Sequence, residues 1–366
     1  MRGKWLLVVA AALVIVGPAM VIPCVAPAGE VVPSPRYSVM SPIRHGTLTV
    51  FPVTASTLHD TQVFLTLDEG LRSGDVVVSE SGGIEPLVRP RHGGIPSGIR
   101  RHAGAEVNRL ILVNNSKRPL LLLAGEIVTG GKQDRVIGKD RLIPAESDPV
   151  DLSVFCVEPG RWTATKANFG SFDSAMAQPA VRSKAMAEKN QDMVWSEVRS
   201  AQAAVAGRLP APAAVTVEAT GSYASVMQND EVKKQVDSVA EPMLHDYQSV
   251  IKQLRDKNAL GVVVAVNGEI IWADIFASSS LLEKYWPKLV RSYAAESITS
   301  REKSADLDMK AAQKFLDNMD SRHETVDTEP GLYRHTEIAG DGFRAFELTS
   351  LLPKTGFDLH LAKIAE

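Results

Sequence analysis

Up to about residue 160, apolar positions come in short, β-branched runs separated by turn residues. Residues 47–53 (TLTVFPV), 62–65, 75–80 (DVVVSE), 107–113 (VNRLILV), 120–128 and 150–157 (VDLSVFCV) each predict a strand. Residues 67–72 (LDEGLR) predict a short helix stopped by Ser73-Gly74. Asn114-Asn115-Ser116-Lys117 is a turn, so 107–113 and 120–128 are expected to pair antiparallel. Between 81 and 104 no period survives; glycine, proline, arginine and two histidines predict a long loop.

Beyond 165 the period changes to helical. Val181, Ala185, Val194, Trp195, Val198, Ala201 and Val205 mark one face of a helix over 180–206. Residues 209–214 (LPAPAA) read as a linker. A second helix is expected over 230–254, kinked or divided at Pro242. In 261–276 (GVVVAVNGEIIWADIF), two apolar runs flank Asn267-Gly268, the signature of a two-residue hairpin. Ser280 and Glu283 form a capping box for a helix to about 297, with Pro287 disturbing its first half. A helix near 304–320 and strands at 342–348 and 358–364 complete the pattern. The fold class is α+β. A β-rich sandwich or partly closed barrel over 44–165 is followed by a helix-rich α+β half over 166–366, which can pack with the first as one domain.

The N-terminus has its own pattern. Arg2 and Lys4 precede an apolar run from Trp5 to Val16, and Ala26-Pro27-Ala28 supplies small residues for cleavage. That is a secretory signal over 1–28, followed by a Pro/Ser/Val spacer over 29–43. The expected location is periplasmic or secreted. The alternative is an uncleaved membrane anchor, which Pro18 and Pro23 oppose as one continuous helix. The 366 residues are 45% hydrophobic, with a formal net charge of −3 and no long run of one sign. Bulk attraction to nucleic acid or to an anionic membrane is therefore not indicated.

Candidate chemistry concentrates in AGEIVTGGKQDRVI (124–137). Gly130-Gly131-Lys132 suggests a phosphate loop, but Glu126 stands where its first glycine is needed and Gln133 where Ser or Thr would hold Mg²⁺. The eight histidines show no metal-ligand spacing, so no metal site is expected, and the sequence leaves any cofactor unknown. Cys156 shares strand phase with Val150, Leu152 and Val154, which makes it a packing residue rather than a nucleophile. What remains is two polar loops that each close an apolar strand. One holds Glu126, Lys132, Gln133, Asp134 and Arg135; the other, VEPGRW, holds Glu158, Arg161 and Trp162. Should both strands end at one sheet edge, Glu126 and Glu158 would face Lys132, Arg135 and Arg161 across a small cleft. Such a cleft would bind a small anionic ligand, phosphorylated or nucleotide-like, with Gln133 and Trp162 in its wall. The competing reading is an ion-pair network that ties two loops together in a scaffolding or protein-interaction module.

The runs LLLLAGEIVTGGKQDRVI, CVEPGRW, GVVVAVNGEIIWADIF and LLEKYWPKLVRSYA resemble the ADP-ribosylglycohydrolase and rhodanese-phosphatase-superfamily-associated protein domain, over roughly residues 46–364. The most specific part is G-E-x-x-x-G-x-K-Q-x-R (125–135) with C-V-E-x-G-R-W (156–162). The resemblance implies Gly125, Glu126, Lys132, Gln133, Arg135, Glu158, Arg161 and Trp162 as the motif positions. It implies no catalytic role for any of them. The family's name records associations, which point towards ADP-ribose or related nucleotides by neighbourhood alone.

Overall fold

A computed structural model describes residues 37–80, 108–160, 168–253, 258–300 and 307–366. The segment expected as a signal (1–28), that expected as a loop (81–104), and Arg161 and Trp162 lie outside the described residues. Pro35–Glu366 forms one compact unit.

The expected runs at 75–80, 107–113 and 150–157, with the end of that at 120–128, enter a small barrel, whereas 47–53 joins the large sheet and 62–65 a small one. The barrel strands are β5 (Val76–Glu80), β6 (Arg109–Asn114), β8 (Glu126–Thr129), β9 (Arg135–Ile137), β11 (Val150–Cys156) and β12 (Gly170–Met176), in the order β12-β8-β9-β11-β6-β5. Every neighbouring pair is antiparallel. A bridge between Ser79 and Asn168 nearly closes the ring. Its interior is aliphatic, with Val78, Leu110, Leu112, Val128, Ile137, Leu152 and Val154 buried together.

Beside it, β7 (Leu120–Leu122) joins β4 (Leu65–Thr66) and β10 (Arg141–Ile143) in a three-stranded sheet. Here the structure departs from the expected 107–113/120–128 hairpin. Asn114 Nδ2 donates to the carbonyls of Arg118 (2.8 Å) and Pro144 (2.9 Å), which fixes the turn as the chain leaves the barrel. The expected strand over 120–128 is also two strands, broken where Gly125 takes φ 94°.

The third sheet is the largest. It runs β1 (Tyr37–Val39), β3 (Leu48–Ala55), β13 (Ala259–Val266), β14 (Glu269–Phe276), β18 (Asp358–Ala365), β17 (Phe343–Ser350), β16 (Tyr333–Gly340), β15 (Ser321–Glu329), with β2 (Ile43–His45) also on β3. Asn267 (φ 54°) and Gly268 (φ 79°) make the expected tight turn between β13 and β14. Leu48, Val50, Val262 and Val264 enter the main core, whereas Phe51, Val53 and Val263 enter a second core on the opposite face. Alternation therefore fails as a guide along β3 and β13, because both faces are covered.

The helices are α1 (Leu67–Ser73), α2 (Pro179–Ser183) with a π-helical turn at Lys184–Glu188, α3 (Gln191–Ala206), α4 (Ala211–Ala219), α5 (Tyr223–Gln228), α6 (Asp230–Gln253), α7 (Ser279–Thr299) and α8 (Met309–Asp317). α1 carries a full capping box, Thr66 with Glu69, and ends on Gly74 in the left-handed region. The helix expected over 180–206 is interrupted at Lys189 (φ 50°), after which Asn190 caps α3. The expected linker at 209–214 instead opens α4, because a proline is well tolerated in a helix's first turn. α7 begins at Ser279, capped by Ser278 rather than Ser280. Neither Pro242 nor Pro287 divides its helix. The missing N–H bond is outweighed by burial of residues such as Leu282, Tyr285, Trp286 and Leu289 in the main core.

Candidate functional site

The motif starts at a strap, Leu123–Glu126, that carries the chain from the small sheet into the barrel. A Cβ on Gly125 would lie 2.5 Å from Arg182 Cγ, so this position needs glycine for close approach as well as for its positive φ. Each backbone N–H of the strap is engaged. Leu123 N donates to the Glu126 carboxylate (2.8 Å), Ala124 N to Asp140 (2.7 Å) and Gly125 N to the Ile137 carbonyl (2.8 Å). Two buried charge networks meet on either side of this turn.

The first network holds Glu126, which is 1% exposed. Its carboxylate accepts from Lys288 of α7 at 2.7 Å, and Lys288 also reaches Asp68 of α1 at 2.6 Å. Burial pushes the Glu126 carboxyl above its ordinary value, against the pull of Lys288. Burial opposes the Lys288 ammonium, but the carboxylates of Glu126 and Asp68 outweigh it and hold its pKa high.

The second network contains none of the sequence-predicted site residues. Asp140 lies 2.5 Å from His360 Nδ1, and His360 Nε2 lies 3.1 Å from Asp274. Arg182 grips Asp274 with both terminal nitrogens at 3.1 Å, and the Tyr293 hydroxyl also donates to Asp274. The Arg182 guanidinium lies over the Trp272 ring at 4.4 Å. Burial works against the imidazolium, but Asp140 and Asp274 raise the His360 pKa to about 9. Against the push of burial, Arg182 and His360 hold Asp274 well below the usual carboxylate range. The network is thus a neutral sum of two carboxylates and two cations, all inaccessible to solvent.

The remaining described motif residues form a third cluster at the barrel's end. Gln133 Nε2 donates to the Glu158 carbonyl and Asp134 N to the Glu158 carboxylate, both at 3.0 Å. Asp134 accepts from Gly130 N (3.0 Å) and Ser222 Oγ (3.2 Å). Lys132 N donates to Glu80 (2.7 Å), whose carboxylate also lies 4.0 Å from Arg135. Arg135 is 0% exposed, Gln133 5% and Glu158 9%. Glu126 therefore turns to Lys288, whereas Gln133, Arg135 and Glu158 interlock the loop at 130–135 with the one after β11. The four described residues thus fall into two separate sets of contacts. Cys156 is buried, and burial raises its thiol pKa, as expected of a packing residue.

Sequence reasoning missed Asp68, Asp140, Arg182, Asp274, Lys288 and His360. A signal for three of them was present. Asp274 interrupts IIWADIF, Lys288 stands on the apolar face of its helix, and His360 alternates in phase with Ala362 and Ile364. Polar residues in register with a core face have to meet partners there. Among the described residues, no group of three or more His, Cys, Asp or Glu could hold a metal ion.

The model of the ARG and Rhodanese-Phosphatase-superfamily-associated Protein domain, ARPP-1, matches residues 36–362. The chain belongs to this family. No curated protein and no solved structure matches it. The ARPP-1 domain here spans all three sheets, so the barrel and the large sheet are parts of one family unit. The strap lies where barrel, small sheet and α7 meet, and the loop at 130–135 lies at the barrel's end against Glu80, Glu158 and Ser222.

Proposed function

We propose that this ARPP-1 domain is a non-catalytic binding or scaffolding module whose family motif is its frame rather than its ligand site. The observation that carries this is the burial of Glu126, Gln133, Arg135 and Glu158, each with partners from other elements. A buried charge held among neighbouring groups is poorly placed to meet a ligand, and removing one partner destabilises the fold instead. The alternative, a small anionic or nucleotide-like ligand held by these residues with Arg161 and Trp162, is tested in the same experiment. Thermal unfolding of wild type and of Arg135→Ala is followed with ADP-ribose, nucleotides and sugar phosphates. The frame reading expects a lower Tm for the variant in buffer and no ligand-induced shift in either protein. A wild-type shift that Arg135→Ala abolishes while still folding would overturn it.

Export belongs to this proposal on the strength of the pattern in residues 1–28. Its test is the N-terminus of the protein purified from its native source, expected at Gly29. A retained Met1 would assign the segment as an anchor.

A further inference from the structure

β15 is a strand that the core does not need. All of Ser321–Glu329 is exposed, so no buried apolar side chain holds the strand in place. Its one apolar residue, Val326, is itself 50% exposed. The strand is nevertheless long and regular. It has 9 residues, against about 5–6 for an ordinary strand. Its register with β16 shifts only at its start, between Ser321 and His323.

It is held from one side. β16 bonds its inner edge, and the pairs Lys139–Asp327 and Arg141–Glu329 (3.2 Å) tie it to the barrel across a cleft. β15 is also last in the sheet order, so the N–H and C=O groups along its outer edge meet no strand among the described residues. Soluble proteins blunt such edges with proline, bulges, a covering segment or charge. β15 has no proline, no bulge from His323 to Glu329 and no cover, which leaves charge alone.

That charge has a sign. Arg322 is turned to Asp341 at 3.0 Å. Glu324, Asp327 and Glu329 are exposed carboxylates, and Glu324 pairs with no described residue. Glu324 opposes Ile338 of the second core, so Glu324 and Val326 share that face. Carboxylates on an edge disfavour another acidic strand and favour a basic one. In strand addition, main-chain bonds supply affinity and alternate side chains supply selectivity.

We propose that β15 is a docking edge that takes an extended basic segment of a partner protein as an added antiparallel strand, with Lys or Arg opposite Glu324 and an aliphatic residue opposite Val326. The proposal rests on the reading of this chain as a binding module and gives that module its partner. A failed docking test would leave the motif's role, tested through Arg135, where it stands.

The test is fluorescence anisotropy of a labelled peptide, Lys-Thr-Lys-Val-Thr-Lys-Thr, titrated with the full chain. Its Val falls opposite Val326 and its central Lys opposite Glu324 when laid antiparallel. Binding with a Kd below about 1 mM is expected. Two further forms are N-methylated, each on one alternate set of residues, and keep the same charge. Only the form that loses the N–H groups facing β15 should bind at least about tenfold more weakly. Glu324→Lys, at an exposed position, should keep the wild-type Tm, weaken this peptide and favour its Lys→Glu counterpart. In sedimentation the chain should run as a monomer. Absence of peptide binding, equal binding of the two methylated forms, or an unchanged preference in Glu324→Lys would each overturn the proposal. So would a dimer that Val326→Lys dissociates, which would assign the edge to a second copy.

Discussion

Residues 139–141 separate two regions built from the same residue types with opposite energetics. On the inner side, Asp140, His360, Asp274 and Arg182 are sealed from water and pair with one another. On the outer side, Lys139, Arg141, Asp327 and Glu329 pair across a cleft, each a quarter or more exposed. Solvent screens the outer pairs and lets either partner re-hydrate if the other is lost. The inner groups have no such recourse, so each is held by the rest. Count of ion pairs therefore says little about stability here; access to water decides.

The largest test of this difference is the deletion of one arginine from each side. Arg182→Met strands Asp274 in the core and is expected to lower the free energy of urea unfolding by about 3–5 kcal/mol. Arg141→Met should lower it by at most about 1 kcal/mol. Equal losses would erase the distinction. Gly125→Ala is next, since its Cβ would collide with Arg182 at a positive φ. A loss of about 1–3 kcal/mol in the same urea measurement is expected.

Two histidines sharpen the comparison through pH. The His360 pKa is raised to about 9, so its contribution is whole below the unfolded value of about 6.5 and disappears as pH rises through 9. His335 of β16 goes the other way. Burial, with Lys139 and Lys189 nearby, lowers its pKa to about 4 despite Asp140 and Glu337. Its contribution is whole above about 6.5 and is lost as pH falls through 4. Unfolding free energy should therefore decline on both sides of about pH 6.5. Relative to wild type, His360→Asn should flatten the alkaline arm and His335→Phe the acid arm. An unchanged arm in either variant removes that histidine from the account. The smallest effect is expected from salt. The destabilisation caused by Lys139→Met should vanish in about 1 M NaCl, whereas that of Arg182→Met should persist in the same unfolding measurement.

Much of the architecture was legible from periodicity. The barrel strands at 76–80, 109–114 and 150–156, the Asn267-Gly268 hairpin, the glycine stop of α1 and the long helices follow from local pattern, whereas β9 and β12 do not. β15 was not legible, because SRHETVDTE is polar at every position except Val326 and the strand is exposed throughout. The split at Gly125 was hidden by the unbroken run of leucines before it; the reason for the turn is Arg182, 57 positions away in sequence. The motif residues were identified, but their roles depended on partners that no spacing could supply. Glu126 looks like one edge of a cleft until Lys288, contributed by α7, is seen to occupy it.

Among the described residues, the exposed strand β15 ends the large sheet, and its outer ladder of N–H and C=O groups is matched by no further strand in the sheet order. Such a border is a template on which another chain could crystallise its own strand. What holds that growth in check is charge set at Arg322, Glu324, Asp327 and Glu329 around the exposed Val326. Neutralising those positions would convert a soluble edge into the seed of a fibre.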